Sequence, residues 1–463
     1  MLDLKFIREN LDAVRANCAH RNVKIDLDQF LQLEAERRET ISELESLRRV
    51  QNEVSEALKK KGKEIIFTKL MTAAEEIKSK EDLKQYLVDA FLKLQDEANS
   101  DTLFKKLIDI GSELKKQAAK IESALKQTES ELDALVRQIP NMTHPAAPIA
   151  ATEDGNRELR RWGEPARFDF APLDHVALGE RLDLIDFDAG AAVAGQKFYY
   201  LKNEAVLLEQ ALVQYALHAT RREGFVPIMT PDVARAQILD GIGFNPRGAE
   251  TQIYSIENSD LCLIATAEIT LGGMLAGKIL EEAALPLRFA GVSHCFRTEA
   301  GAAGRESKGL YRVHQFTKIE MFAFTTPEAS EATHEQFVGI EEKLFQGLGI
   351  PYRVLDICTG DLGGPAYRKY DLEAWMPGRG ERGDYGEVTS TSNCTDYQAR
   401  RLGIRFRREG EKRPLYVHML NGTAIAVSRA LIAILENYQQ RDGSVAVPKA
   451  LLPYMDGVEV IRR

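Results

Sequence analysis

Between Gln29 and Pro140 the apolar positions advance along the chain in steps of three and four. From Phe30 the steps meet Leu33, Arg37, Thr40, Leu44, Leu47, Gln51, Val54 and Leu58; from Leu114 they meet Ala118, Ile121, Leu125, Thr128, Leu132, Leu135 and Ile139. Both series are heptad seams with a few polar interruptions, the pattern of a helix that buries one narrow stripe against another helix. Proline is absent before Pro140, and glycine occurs only at Gly62 and Gly111. Each predicted helix runs roughly 30 residues, or about 45 Å. Helix propensity alone does not hold so charged a helix together, so the seams must be covered. Two seams in one chain suggest an antiparallel hairpin, a long arm; an ordinary dimerisation coiled coil is the alternative. Between the seams, Leu83, Tyr86, Leu87, Ala90, Phe91 and Leu94 form an amphipathic stripe, and Leu103, Phe104 and Leu107 suggest a second. A small helical cap over about 63–110 is expected at the tip of the arm.

The pattern changes at Pro140, where "IPNMTHPAAPIAATEDGNREL" reads as a linker. The rest, 141–463, mixes helical periods with short β-rich runs. A helix is predicted from about Asn203 to Glu223. Strands are predicted at "LCLIAT", "LRFAGVSHCF", "FTKIEMFAF", "YRVLDIC" and "DYGEVTSTSN", and a final helix after "NGTAIAVSR". Several neighbouring strands have no helix between them, so the fold class is α+β, built on a mainly antiparallel sheet. The domains are then 1–140, helical, and 141–463.

Composition narrows the function. A formal net charge of −9 over 463 residues argues against a protein that coats polyanions, so nucleic acid would have to meet local patches. Cys18, Cys262, Cys295, Cys358 and Cys394 are scattered with no metal spacing, which fits reduced thiols. The start "MLDLKFIREN" has acids and no apolar core, unlike a secretory signal, and no window approaches eighteen apolar residues. A soluble, cytoplasmic protein that does not enter membranes is expected.

The chemistry is concentrated in three places. Gly224 to Pro231, "GFVPIMTP", follows a helix. Phe296, Arg297, Thr298 and Glu299 precede a loop of small residues that ends in Arg312, Val313, His314, Gln315 and Phe316. A turn of small residues carries Arg429. In this order they resemble the three signature motifs of class II aminoacyl-tRNA synthetases. Thr266, Ala267 and Glu268, the "KYDLEAWMPG" run, "NGTAIAVSR" and the helical arm are similar to the seryl-tRNA synthetases of the common bacterial type. The resemblance covers nearly the whole chain, apart from the tip insertion.

That resemblance implies serine activation by ATP, followed by transfer of the seryl group to the 3′-hydroxyl of tRNA(Ser), and of tRNA(Sec) where one exists. Activation joins a carboxylate to the α-phosphorus, so catalysis is mainly positioning and charge stabilisation, work suited to planar arginine forks. The implied catalytic residues are Arg297, bridging α-phosphate and carboxylate, and Arg429, clamping the γ-phosphate. Glu299, expected on the same strand face as Arg297, would accept from the adenine amino group, and Phe316 would stack on the ring. Arg312 would reach the terminal phosphates, with Thr298, Val313, Val388 and Thr389 completing the ATP site. Glu387 and Ser390 would hold Mg²⁺ with ATP, and no zinc is expected. Serine would meet Thr266, Ala267, Glu268, Arg297, Glu320, Asn421 and Thr423. Glu320 lies four residues after Phe316, so a regular strand puts both on one face. The loop, with Arg305 and Lys308, would reach toward the acceptor end of tRNA, and the arm, with Arg48, Arg49 and Lys59 to Lys61, toward its long variable arm. A homodimer with Pro231 and the preceding helix near the interface is implied. The third motif departs from the usual alternating glycines, keeping Gly422 but carrying Ala424, Ala426 and Ser428. Two rival functions would leave different marks. A ligase that loads an amino acid on a carrier protein would lack the long arm. A coiled-coil binding protein with an inactive synthetase-like domain should have lost a site arginine.

Overall fold

The structure, a computed structural model, describes residues 1–60, 63–75, 81–95, 100–244, 252–300 and 308–463. It comprises two compact units: Asp3–Arg15 with Lys24–Ile139, and Met1–Leu2 with Ala16–Val23 and Pro140–Arg463. The change at Ile139 and Pro140 coincides with the return of proline; the membership of Ala16–Val23 in the second unit has no counterpart in the sequence pattern.

In the helical unit, α1 (Leu27–Lys60) and α4 (Ser100–Val136) lie side by side, with α2 (Lys63–Glu75) and α3 (Glu81–Gln95) between them in sequence. Their direction is fixed by cross-pairs: Arg37 meets Glu129 at 3.1 Å and Arg48 meets Glu122 at 2.8 Å, one number rising as the other falls. The helices are therefore antiparallel. The heptad count drifts toward each far end. Val50 and Ala57 are buried where Gln51 and Leu58 were expected, and Val136 takes the buried place next to half-buried Leu135. A straight helix repeats every 3.6 residues, so a strict seven-residue count slips against its face. At the tip, Leu70, Ala74, Leu87, Phe91, Leu94 and Leu107 extend the same core. Tyr86 and Phe104, expected in the buried stripes, are exposed; Lys61 and the side chains of Lys60, Leu83 and Leu103 lie outside the described residues.

The second unit is built on an eight-stranded sheet. Its strands in chain order are β1 (Arg157–Trp162), β2 (Val226–Met229), β3 (Leu287–Phe296), β4 (Gln315–Thr325), β5 (Tyr352–Asp356), β6 (Arg368–Met376), β7 (Asp384–Asn393) and β8 (His418–Ala426), and their order across the sheet is β1-β5-β6-β7-β8-β4-β3-β2. Every pair is antiparallel except β2–β3 at the edge. The period of two decides what each strand does. On β4, Ile319, Met321 and Ala323 enter a core shared with α5 (His175–Arg181), α6 (Glu204–Arg222), α8 (Ser330–Gly347) and α9 (Val427–Asn437). Phe322 and Phe324, on the opposite face, enter a second core with Ala267, Ile269 and Leu271 of the short helix α7 (Ala267–Gly273). Phe316, Lys318 and Glu320 share that second face nearer the strand's start. One strand thus supplies two cores and a row of functional groups. Among the described residues no helix is long and apolar enough to cross a membrane.

Candidate active site

The hairpin β3–β4 holds the site's floor, with Cys295 opposite Phe316 and Gly291 opposite Glu320. A cleft opens over it. Arg297, Glu299, Arg312, Val313, Phe316, Glu387, Val388, Thr389, Thr423 and Arg429 all line it, so the structure brings together most of the residues expected at an ATP site. Thr298 does not line it; its backbone amide donates to Gln252 O at 3.1 Å. Arg305 lies outside the described residues.

The local backbone corrects one expectation. Strand β3 stops at Phe296, so Arg297 and Glu299 do not share a strand face. Glu299 adopts φ +49°, a left-handed turn uncommon for a residue with a side chain. That turn swings its carboxylate to Arg312, whose Nη1 stands 3.3 Å from Oε2. The Arg297 guanidinium lies 5.3 Å from the Phe316 ring centre, and its Nε donates to Ala265 O at 3.4 Å. Helix α9 begins where β8 ends, and this places Arg429 over the cleft. Arg429 Nη1 donates to Glu387 O at 3.0 Å and meets Glu387 Oε1 at 3.1 Å, while its Cζ lies 4.8 Å from the Tyr311 ring. Burial opposes charge on Glu387, but Arg429 foremost, then Lys369 and Arg297, hold its carboxyl down at about 2. It is a permanent anion at working pH.

A bulge in β7 settles how Glu387 and Ser390 can act together. Three residues apart on a regular strand they would face opposite ways. The register shift at Val388 sets Glu387 opposite Glu373 and Ser390 opposite Asp371, two residues that share a face. Thr389 turns to the other side, where its hydroxyl donates to Glu341 Oε2 at 3.0 Å. An ionised carboxylate and a hydroxyl side by side are hard oxygen donors of the type Mg²⁺ accepts.

The other end of the site, behind Lys318 and Thr423 of the cleft wall, is acidic. Thr266 caps the helix Ala267–Gly273, accepting from Glu268 N, and also accepts from Lys318 Nζ at 3.1 Å. Glu268 Oε1 accepts from Gln398 Nε2 at 2.7 Å and Asn421 Nδ2 at 3.0 Å. Burial, and then the nearby Glu320, push its carboxyl up to about 7. Glu320, 1% exposed, forms an ion pair with Lys318 at 2.5 Å. It is Glu320 Oε2 that meets the Lys318 ammonium. Thr423 on β8 stands opposite Glu320. Ala267 is fully buried and packs into the second core, so its side chain does not reach the pocket.

Two family models match the chain: the Seryl-tRNA synthetase N-terminal domain over residues 1–101, and the tRNA synthetase class II core domain (G, H, P, S and T) over 252–438. A serine–tRNA ligase of Rubrobacter xylanophilus is 55% identical over 461 residues, covering 100% of this chain and 99% of its own. The chain belongs to the seryl-tRNA synthetases. A serine–tRNA ligase of Treponema denticola is 51% identical with 98% of each chain covered. The crystal structure of seryl-tRNA synthetase from Pyrococcus horikoshii complexed with ATP has a TM-score of 0.84 at 38% identity, covering 100% of this chain and 99% of that one.

For a seryl-tRNA synthetase, the third motif's departures are readily accommodated. A Cβ at Gly422 would lie 2.8 Å from Thr391 Oγ1 and 2.9 Å from Phe337, so this glycine is required by close packing. Ala426 and Ser428 line the cleft without obstructing Arg429. Three residues escaped the sequence reading. Lys318 sits inside the acidic end, against Glu320 and Thr266, and strand alternation with Phe316 and Glu320 was a signal for it. Tyr311 stands against Arg429, and Gln398 braces Glu268; both are placed by tertiary packing and left no local pattern. Lys308, expected to reach for tRNA, is instead ion-paired to Asp174.

Proposed function

We propose that this chain is a serine–tRNA ligase in which Arg297 joins two unlike half-sites. A serine carboxylate oxygen attacks the α-phosphorus, the bond to the bridging oxygen breaks, and pyrophosphate leaves. The 3′-hydroxyl of tRNA(Ser) then attacks the seryl carbonyl, and AMP leaves. The observation that carries this reading is that Arg297, on the wall of the arginine-lined cleft, acts electrostatically both on Glu387 there and on Glu268 in the acidic cluster next to it.

At the first end Phe316 stacks on adenine, Glu299 accepts from its amino group once Arg312 turns to the terminal phosphates, and Arg429 holds the γ-phosphate. Val313, Val388 and Thr389 shape the surrounding wall. Glu387 and Ser390 would hold Mg²⁺ together with phosphate oxygens, where the ion neutralises charge on the leaving group. At the second end Glu268 and Glu320 receive the serine ammonium and hydroxyl, and Thr266, Asn421 and Thr423 fix their orientation. Alanine would leave those buried acceptors unpaired, which is a stronger rejection than a missing methylene provides.

The helical hairpin supplies the tRNA contact, by shape and backbone of the long variable arm. Its charged outer face supports this, although Arg48 already pairs with Glu122, so fewer cations are available than composition suggests. tRNA(Sec) is a second substrate where the host has one. A homodimer is supported by the edge strand β2, where Met229 is 79% exposed beside Pro231. The cytoplasm is the compartment this reading implies.

Serine-dependent ATP–pyrophosphate exchange followed by charging of tRNA(Ser) tests the reading. Replacing Gln29 to Ile139 by a short linker should leave exchange nearly unchanged and abolish most charging. Absence of exchange in the intact protein would overturn the function; normal charging without the hairpin would move tRNA recognition elsewhere.

A further inference from the structure

Behind the nucleotide cleft lies a buried pair of side chains that the reaction does not touch. His175 is the first residue of the helix His175–Arg181, and Glu436 lies near the end of α9. His175 is 5% exposed and Glu436 2%. Glu436 Oε1 accepts from the His175 amide at 3.0 Å and is 2.8 Å from its Nδ1. Glu436 Oε2 accepts from Gly378 N at 2.8 Å. On the far side of the ring, His175 Nε2 accepts from Leu310 N at 3.1 Å. Because Nε2 is an acceptor, the hydrogen is on Nδ1, and the carboxylate of Glu436 fixes that tautomer.

Leu310 belongs to the limb that returns from the loop of the second motif. It directly precedes Tyr311, whose ring lies against Arg429, and Arg312, both lining the cleft. The limb fits closely onto His175. Gly309 has φ +59°, and a Cβ there would stand 2.2 Å from His175 Nε2 and 2.6 Å from Val176 Cγ2. Next to it, Lys308 is paired with Asp174, the residue before His175. Four consecutive residues of the limb are thus set against one ring, its neighbours and Arg429.

We propose that His175, oriented by Glu436, is a positioning residue for the terminal phosphates of ATP. It holds the returning limb in register, so that Tyr311 backs Arg429 and Arg312 faces the cleft. It touches neither substrate and acts through those two residues. The inference rests on the serine–tRNA ligase reading, because it needs ATP in this cleft.

The test is steady-state pyrophosphate exchange with ATP and serine varied separately, alongside ATP binding by calorimetry. His175→Ala leaves the Leu310 amide buried without a partner. It should raise KM for ATP roughly tenfold, the size of one lost buried hydrogen bond, and leave KM for serine within about twofold. His175→Gln carries a carbonyl oxygen that can take the Leu310 amide, and should recover most of the ATP affinity. Gly309→Ala disturbs the same contact from the limb's side, and should reproduce the ATP-selective defect even if His175→Ala does not fold. A purely structural role predicts a lower melting temperature with both KM values unchanged, or both shifted together; either result overturns the proposal. So does a Gln variant no better than Ala. Exchange by the intact protein is the internal control: its absence defeats the ligase reading, whereas normal exchange with an unaltered Ala variant defeats only the role of His175.

Discussion

The two ends of the site handle charge in opposite ways. At the arginine-lined end Arg297 faces Phe316, and Arg429 lies between Tyr311 and an ionised Glu387. At the acidic end two carboxylates, Glu268 and Glu320, stand near one another, with the Lys318 ammonium against Glu320. Burial first, and then Glu320, raise the pKa of Glu268, so its ionised form is held at a cost. On the function proposed above, a substrate ammonium would relieve that cost, and specificity for an amino acid would be written partly as an unfavourable state of the empty pocket.

The sharpest way to break this contrast is at the residue joining the ends. Arg297→Lys keeps the charge and loses the planar fork. A phosphate contact made mainly in the transition state is worth roughly 3 kcal/mol, so pyrophosphate exchange should fall about a hundredfold with the fold intact. Exchange within a factor of three of the parent would remove Arg297 from the bridging role. Glu320→Gln acts on one end only. Losing a buried partner for the ammonium costs at least about 2 kcal/mol, so KM for serine should rise roughly thirtyfold while that for ATP stays put. A rise for ATP with serine unaffected would reverse the assignment of the two ends. The smallest effect is on pH. Glu268 is an acid whose pKa in the folded protein is raised to about 7, so its charged form is lost as pH falls through that value. Serine affinity should weaken on acidification, with KM about tenfold higher at pH 6 than at pH 8, following one protonation. Glu268→Gln should flatten the profile; an unchanged slope in that variant would assign the titration to another group.

Legibility differed between regions for physical reasons. The strands Leu287–Phe296 and Asp384–Asn393 coincide with apolar and β-branched runs bounded by turns, and could be located almost to the residue. The arginines and Phe316 were found through resemblance, since a lone arginine carries no local signature. Lys318 was within reach of the alternation that exposed Glu320, but a lysine next to a threonine reads first as a solvated edge. The positive φ of Glu299 and the bulge at Val388 were out of reach, because both depend on how neighbouring strands pair. In the arm, the seam was visible where packing is two-helix and regular. It slipped at Val50 and Ala57, because a straight helix repeats every 3.6 residues and not every 3.5.

Strand β4 has a consequence for how such a chain can change length. Its residues alternate between the row of Phe316, Lys318 and Glu320 and the hydrophobic core at Ile319 and Met321, so inserting or deleting a single residue there exchanges Lys318 and Glu320 with Ile319 and Met321. Activity and folding would be lost in the same event, and no intermediate length escapes. The helical hairpin obeys a gentler arithmetic: a matched gain of seven residues on α1 and α4 restores the seam two turns further out. Growth by insertion is open at the tip of the arm and closed on the floor of the cleft.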